Sequence, residues 1–361
     1  MDNVAILGTG LLGTSIGAAA VRVGCTVSGW DADPDTTTAA AAIGGFRATA
    51  TLEDAVGGAD LVVVCVPIGA IAAIAARALD AAPDAIVTDA GSVKAHVVEE
   101  VAGLVSASAR SRFVGGHPMG GSERSGPTHA AAALVDGIVW VLTPSEETDP
   151  DVVDRVEGWV SRLGAQPVRM DPARHDLLVA FVSHLPQVAS TALMGLAATE
   201  EADEPEILLL AAGGFRDLTR LAASNPTLWS DILLANRTAV ARALDLYVAR
   251  LSAIRDLIEA ANAGAVERAF SEAKAARLRL ATKPQVRAGV AVIQVPIPDR
   301  PGALGELTLA LGEGDINIED LQIVHSAEGG RGMVHLTVSA DAADQTSTFL
   351  EARAFDPTRL A

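Results

Sequence analysis

Residues 4–8, 26–31, 61–67 and 85–89 are short apolar, β-rich runs, and alanine-rich segments with helical spacing separate them. Runs at 113–116 and 138–143 continue the series, and 166–170 can close it. Alternation of this kind predicts an α/β domain, a doubly wound, mostly parallel Rossmann-type sheet with helices on both faces, over residues 1–170. After residue 171 the strand signals stop. Stretches 228–261 and 265–280 carry apolar residues at three- and four-residue steps, which reads as helix. An all-helical domain is expected over 171–282, and its helices are too apolar for a small bundle standing alone. Packing against a second copy, as a homodimer, follows as an expectation. A break at 281–289 contains Lys283 and Pro284. Strand-like runs at 290–295, 317–325 and 332–338, with helix-like runs at 301–313 and 344–353, predict a small α+β module over 288–361.

Composition narrows the function. The chain has 361 residues, half of them hydrophobic and only 3% aromatic, so its core is built mainly from Ala, Val, Leu and Ile. Acidic residues outnumber basic ones by 45 to 27, a net charge of −18, which argues against nucleic acid as a partner. Single arginines in a dry pocket can still bind a small anion. Cys25 and Cys65 have no Cys or His at metal-ligand spacing and read as buried thiols in a reducing compartment. No Lys or Arg precedes the first apolar run, and the longest apolar stretch, 61–76, is broken by Pro67 and Gly69. A cytoplasmic protein without a membrane span is expected.

The most specific local motif opens the chain. Gly8-Thr9-Gly10-Leu11-Leu12-Gly13 lies between the first strand and the first helix. Gly8 suits the tight turn, Gly10 lets the backbone approach a pyrophosphate, and Gly13 allows close helix–strand packing. The helix N-terminus adds free N–H groups and the positive dipole end. Asp31 ends the next strand, where a carboxylate accepts ribose hydroxyls and repels a 2′-phosphate, favouring NAD over NADP. Val66 and Pro67 end the third strand on the same edge and are expected to line the adenine or ribose side.

Three further segments can carry chemistry. In Asp89-Ala-Gly91-Ser92-Val-Lys94, Ser92 is either the N-cap of the next helix or a ligand at a C-terminal strand end. In Gly115-Gly116-His117-Pro118-Met119-Gly120-Gly121-Ser122-Glu123, a glycine-rich loop can hold His117 rigidly as a base or hydrogen-bond acceptor, although a packed core histidine has the same look. The helical region contributes His175-Asp176, Ser183-His184-Leu185-Pro186-Gln187, Gly214-Phe215-Arg216-Asp217 and Arg220, and Trp229. Arg216 and Arg220 are four apart, on one helix face, where simple solvation explains them as well as binding. No spacing here matches a metal site.

These motifs, in this order over about residues 3–280, closely resemble the prephenate/arogenate dehydrogenases of tyrosine biosynthesis. Pro298-Asp299-Arg300-Pro301-Gly302-Ala303-Leu304 is similar to the strand-to-helix turn of an ACT domain, a βαββαβ, ferredoxin-type regulatory module. The resemblance implies NAD-dependent oxidative decarboxylation of prephenate to 4-hydroxyphenylpyruvate. It implies that His117 accepts the hydrogen bond and then the proton of the 4-hydroxyl, and that Ser92 hydrogen-bonds that hydroxyl. Arg220 matches the arginine that holds a substrate carboxylate, and Ser122 and Glu123 match loop residues near the pyruvyl side chain. Arg216 matches a basic residue reaching the partner's site, Trp229 an aromatic wall, and His184 a pocket residue. Gln187 stands where some relatives carry a histidine on the substrate side chain. Its amide suits a keto acid or an amino acid, which leaves arogenate open as the substrate. Asp299, Gly302, Ala303 and Leu304 match an effector site, with tyrosine the expected feedback inhibitor. The rival readings are another NAD-linked hydroxyacid dehydrogenase and a non-catalytic NAD/amino-acid sensor.

Overall fold

The structure, a computed structural model, describes residues 1–120, 125–281, 290–298, 300–325 and 331–360. By compactness it divides into Met1–Leu251 and Ser252–Ala361, and each is described by itself.

The first unit is built on eight strands: β1 (Asn3–Leu7), β2 (Thr26–Trp30), β3 (Arg47–Ala48), β4 (Leu61–Val64), β5 (Ile86–Asp89), β6 (Phe113–Pro118), β7 (Val139–Thr143) and β8 (Gln166–Arg169). They pair in the order β3-β2-β1-β4-β5-β6-β7-β8. Side chains alternate across a strand, so β1 feeds both faces. Val4 and Ile6 join a core with Ile16, Trp140 and Trp159, whereas Ala5 and Leu7 join one with Ile71, Leu79 and Val97. That explains why β1 and β4 are apolar without alternation. The helix Ile68–Ala81 buries Ile71, Ala72, Ala75, Ala78 and Leu79, the three- and four-residue rhythm that covers one sheet face.

Two details depart from the sequence reading. The short β3 was not foreseen, and β7 runs antiparallel to β6, with His117 opposite Val141. His117 therefore lies inside a strand rather than on a loop. Gly115 and Gly116 make this possible: a Cβ on Gly116 would come within 2.8 Å of Thr88 Oγ1 and 3.1 Å of Trp140 Nε1.

The unit continues as helices. Pro172–Val179 and Leu185–Glu200 are joined without a break by a π-helical turn, Ala180–His184. Pro186, in the first turn of the second helix, has no N–H to return to the preceding turn, and this favours the wider winding just before it. By length and composition this 29-residue helix, Pro172–Glu200, could cross a membrane, a feature the search along 61–76 overlooked. Its polar groups Asp176 and Gln187 are instead buried against the protein itself. Next come Gly213–Thr219, a 3-10 turn at Arg220–Ala223, Pro226–Ala235 and Arg237–Glu259. The predicted helix 228–261 is thus two helices. They part at Asn236, whose side-chain Nδ2 donates to the main-chain oxygen of Asp176 at 2.8 Å.

The second unit begins with a helix ending at Ala281 and adds β9 (Val290–Pro298), β10 (Asp320–His325), β11 (Arg331–Ser339) and β12 (Thr358–Leu360). All pairings are antiparallel in the order β10-β11-β9-β12. Helices Ala303–Glu313 and Ala343–Glu351 bury Leu307, Leu311 and Leu350 with Ile293, Val295 and Leu336 of the strands.

Candidate active site

The glycine turn is held from several sides. Gly8 has φ +94°, and a Cβ there would lie 2.5 Å from the Cys65 carbonyl oxygen. Gly8 N donates to Trp30 O at 2.8 Å, and Thr9 N donates to Asp31 Oδ2 at 2.7 Å. Asp31 thus fixes the turn and, half-buried, keeps lone pairs for ribose hydroxyls. Gly10 caps the helix Leu11–Arg22 without a side-chain bond, and a Cβ on it would meet nothing within 4 Å. Bare backbone, free first-turn N–H groups and open space at one point are what a pyrophosphate requires. Leu11 and Leu12 are half-buried, Val66 flanks Gly8, and Pro67 caps the next helix from an exposed position. These residues fit a dinucleotide.

On the same carboxyl edge, the segment after β5 is clamped. The fully buried Lys94 ammonium pairs with Asp89 Oδ2 and donates to Gly116 O at 2.8 Å. Asp89 Oδ1 accepts from Gly116 N at 3.1 Å, and Oδ2 from Gly91 N at 2.8 Å. The ion pair thereby fixes β6 immediately before His117. Ser92 lies in the middle of this segment, half-buried. It is not the N-cap: the helix Ala95–Leu104 starts after Lys94 and has no side-chain cap of its own. Asp176 supplies that function from the helical region, its Oδ1 accepting from Lys94 N at 2.8 Å and its Oδ2 from Ala95 N at 2.9 Å. No hydrogen bond among the described residues engages the Ser92 hydroxyl, which leaves it free to bind a ligand.

A chain of side chains leads away from His117. Its Nδ1 lies 2.8 Å from His175 Nε2, and His175 Nδ1 lies 2.7 Å from Asp176 Oδ1. Asn236 Nδ2 reaches His184 Nδ1 at 3.2 Å, and the His184 ring meets Trp229 edge-on with centroids 6.0 Å apart. Burial, then His175, Lys94 and His184, push the His117 imidazole well below the usual histidine value. Burial also lowers His184, to about 4, against the opposing pull of Asp176. His117 and His184 are therefore neutral at pH 7.

Gln187 is buried and already engaged. Its Nε2 donates to Leu221 O at 2.8 Å, and its Oε1 accepts from Ser224 Oγ at 3.4 Å. Ser190 Oγ accepts from Ala222 N at 3.1 Å. Together these contacts anchor the turn that starts at Arg220. Arg220 belongs to that 3-10 turn and Arg216 to the helix before it, so the two do not share one continuous helix face. Both are exposed, and no ion pair joins either to another described residue. The structure thus links His117, His184 and Trp229 through one network, to which the segment bearing Ser92 is tied by Lys94 N on Asp176. It ties Arg220 to the same helix as His184 through Gln187. Ser122 and Glu123 lie outside the described residues, as does Asp299.

Residues 17–169 match the family model described as "Prephenate dehydrogenase, nucleotide-binding domain", and residues 171–272 match "Prephenate dehydrogenase, dimerization domain". The prephenate dehydrogenase of Bacillus subtilis is 33% identical over 258 residues, 71% of this chain and 69% of the relative. The chain belongs to the prephenate dehydrogenase family. Two solved structures are similar to it. One is prephenate dehydrogenase from Aquifex aeolicus in complex with hydroxyphenyl propionate and NAD+ (TM-score 0.72, 30% identity, 78% of this chain and 98% of that one). The other is Synechocystis arogenate dehydrogenase (TM-score 0.68, 29% identity, 77% and 99%).

Within this prephenate dehydrogenase framework, sequence reasoning gave no role to His175, Asp176, Asn236 or Lys94. An adjacent His-Asp pair near the start of a helix was the available signal for the first two. Lys94 carries no signal in the sequence, and only the fold shows its ammonium buried. Removing it leaves Asp89 buried without its cation. Lys94→Met is therefore expected to destabilise the protein by about 3–5 kcal/mol, read from the urea midpoint of the purified variant.

Proposed function

We propose that this chain is an NAD-dependent prephenate dehydrogenase, forming 4-hydroxyphenylpyruvate and CO2. The observation that carries the reading is a neutral His117 at the end of β6, on the same sheet edge as the dinucleotide turn and tied through Gly116 to the Asp89–Lys94 segment that bears Ser92. The B. subtilis and A. aeolicus relatives carry this activity in their names. The bound nicotinamide supplies the hydride acceptor. His117 Nε2 takes the proton of the 4-hydroxyl while Ser92 Oγ hydrogen-bonds the same oxygen. As hydride leaves C4, the ring carboxylate departs as CO2 and its bonding pair completes the aromatic ring. Arg220 holds a substrate carboxylate by a charge-assisted pair, and Trp229 and His184 wall the pocket. The resemblance assigns Ser122 and Glu123 to the pyruvyl side chain and Arg216 to the second subunit's site. Leu11, Leu12, Val66 and Pro67 flank the cofactor.

The protein acts as a homodimer. Phe181, Val182, Leu196, Leu218, Leu246 and Leu251 of the helical region are exposed, and so large an apolar surface needs a cover. A second copy supplies it, as the matched dimerization model suggests. Arogenate is the alternative substrate. The fully occupied Gln187 amide does not select a keto group over an ammonium, and a solved relative is named for arogenate.

The C-terminal unit is an ACT-type regulatory module that binds tyrosine or another aromatic amino acid. Its βαββαβ order supports this, as does Gly302, which caps the helix Ala303–Glu313 at φ +89° with open space at its Cα. A carboxylate can approach there, beside Ala303 and Leu304; Asp299 is assigned to the effector by the resemblance alone.

Absorbance assays of NADH formation, with prephenate or arogenate and NAD+ or NADP+, test the reading. His117→Asn is expected to lower kcat by about 100- to 10,000-fold with unchanged NAD+ affinity; full turnover would refute the base assignment. In the unmutated protein the histidine must be neutral to act. Activity is therefore retained as pH falls to 6.5, and the acid limb of kcat/KM lies below that value. Arg220→Ala is expected to raise the prephenate KM at least tenfold with a smaller effect on kcat. Ending the chain after Ala281 is expected to leave turnover intact and abolish tyrosine inhibition. Inhibition that survives would place the effector in the active site.

A further inference from the structure

We infer that His175 and Asp176 are a positioning pair that sets the tautomer of His117, leaving its Nε2 bare toward the substrate. The inference rests on the reading of His117 as the base. Asp176 is an acceptor, its two oxygens taking the N–H groups of Lys94 and Ala95. Its contact with His175 Nδ1 therefore requires the proton on that nitrogen. In a neutral imidazole the other nitrogen, Nε2, is then an acceptor. That acceptor lies 2.8 Å from His117 Nδ1, so His117 must donate from Nδ1, and its Nε2 carries a lone pair.

The opposite arrangement fails on charge. His175 could donate from Nε2 only as an imidazolium. It is 1% exposed, and the buried Lys94 ammonium already sits close by. That state would also place the His117 proton on Nε2, where it could accept nothing. The rings meet edge-on at 75°, with centroids 5.0 Å apart, the geometry of an N–H pointing at a ring nitrogen rather than of stacking. Once His117 has taken the substrate's proton, the same alignment stabilises its cation. Its Nδ1–H points at His175, whose dipole is oriented by Asp176. Neither residue touches the reacting atoms.

The test uses the full chain labelled with 15N at histidine. Two-bond 15N–1H correlation spectra at neutral pH report each tautomer without any turnover. The expected result is His117 with its proton on Nδ1, lost to a mixture of tautomers in His175→Leu. In the same variant kcat is expected to fall about 100-fold or more, with KM for prephenate and NAD+ within about twofold. His175→Gln keeps an acceptor for His117 and a donor for Asp176, so it is expected to restore most of the turnover. A proton on His117 Nε2 in the unmutated protein overturns the inference. So does His175→Leu with undiminished kcat, or His175→Gln no better than His175→Leu. Should His175→Leu not fold, the unmutated spectrum and the His175→Gln rate still decide. A correct tautomer in a protein that oxidises neither prephenate nor arogenate would sink the function while leaving the positioning intact.

Discussion

The Asp176 carboxylate is where two otherwise separate structures become one site. It accepts from the first N–H groups of the helix Ala95–Leu104 and from His175. A helix end buried without a capping side chain would leave donors unsatisfied, at a cost of about 1–3 kcal/mol each. Here the cap arrives from a residue 82 positions later. The helical region is thereby located against the carboxyl edge of the sheet by hydrogen bonds. Asn236 repeats the device from the next helix by binding the main-chain oxygen of the same residue. At the other end of the segment, the Asp89–Lys94 pair fastens β5 to β6. Ser92 and His117 thus sit on backbone pinned at both ends, which suits groups that must meet one small ring.

The parts of this arrangement that were legible in the sequence are local. The central strands of the first sheet read correctly because each is a short run of buried residues, whereas the exposed pair Arg47–Ala48 gave no such signal; the glycine turn read correctly because its three glycines have separate roles. Most of the unread parts depend on residues distant in the chain. The reversal at β7 follows from its connection to β6, whose described residues form two 3-10 turns and no crossover helix, as a parallel neighbour would need. The division of 228–261 falls at Asn236, an acceptable helix residue whose side chain is drawn off by Asp176. Ser92 looked like a cap because serine usually is one, and the true cap is a carboxylate from another helix. Gln187 read as a possible substrate contact, yet its amide is committed to the turn bearing Arg220.

The long helix Pro172–Glu200 shows the same tension between composition and placement. It is apolar enough for a lipid environment, and most of it is uncovered in one subunit. Its few polar residues are also the ones that locate the site: His175 and Asp176 near one end, His184 at the π turn, Gln187 one turn later. A helix with buried polar groups on one side and bare leucines, valines and phenylalanine on another is covered by the sheet domain on the first side only. The wider π turn rotates His184 toward Asn236 and Trp229, and such turns recur where a helix must aim a functional side chain.

Burial gives His117, the proposed base, an unusual balance. A general base works best with a pKa near the working pH, and His117 is pushed well below that by its surroundings. The loss in basicity is tolerable for a reaction whose product is aromatic and whose leaving group is CO2, because the overall step is downhill without a strong base. What such a step needs is an acceptor that is never protonated beforehand and is aimed correctly. Low pKa secures the first condition at any neutral pH. The hydrogen-bonded chain to Asp176 secures the second, by leaving the imidazole only one tautomer that satisfies every buried nitrogen.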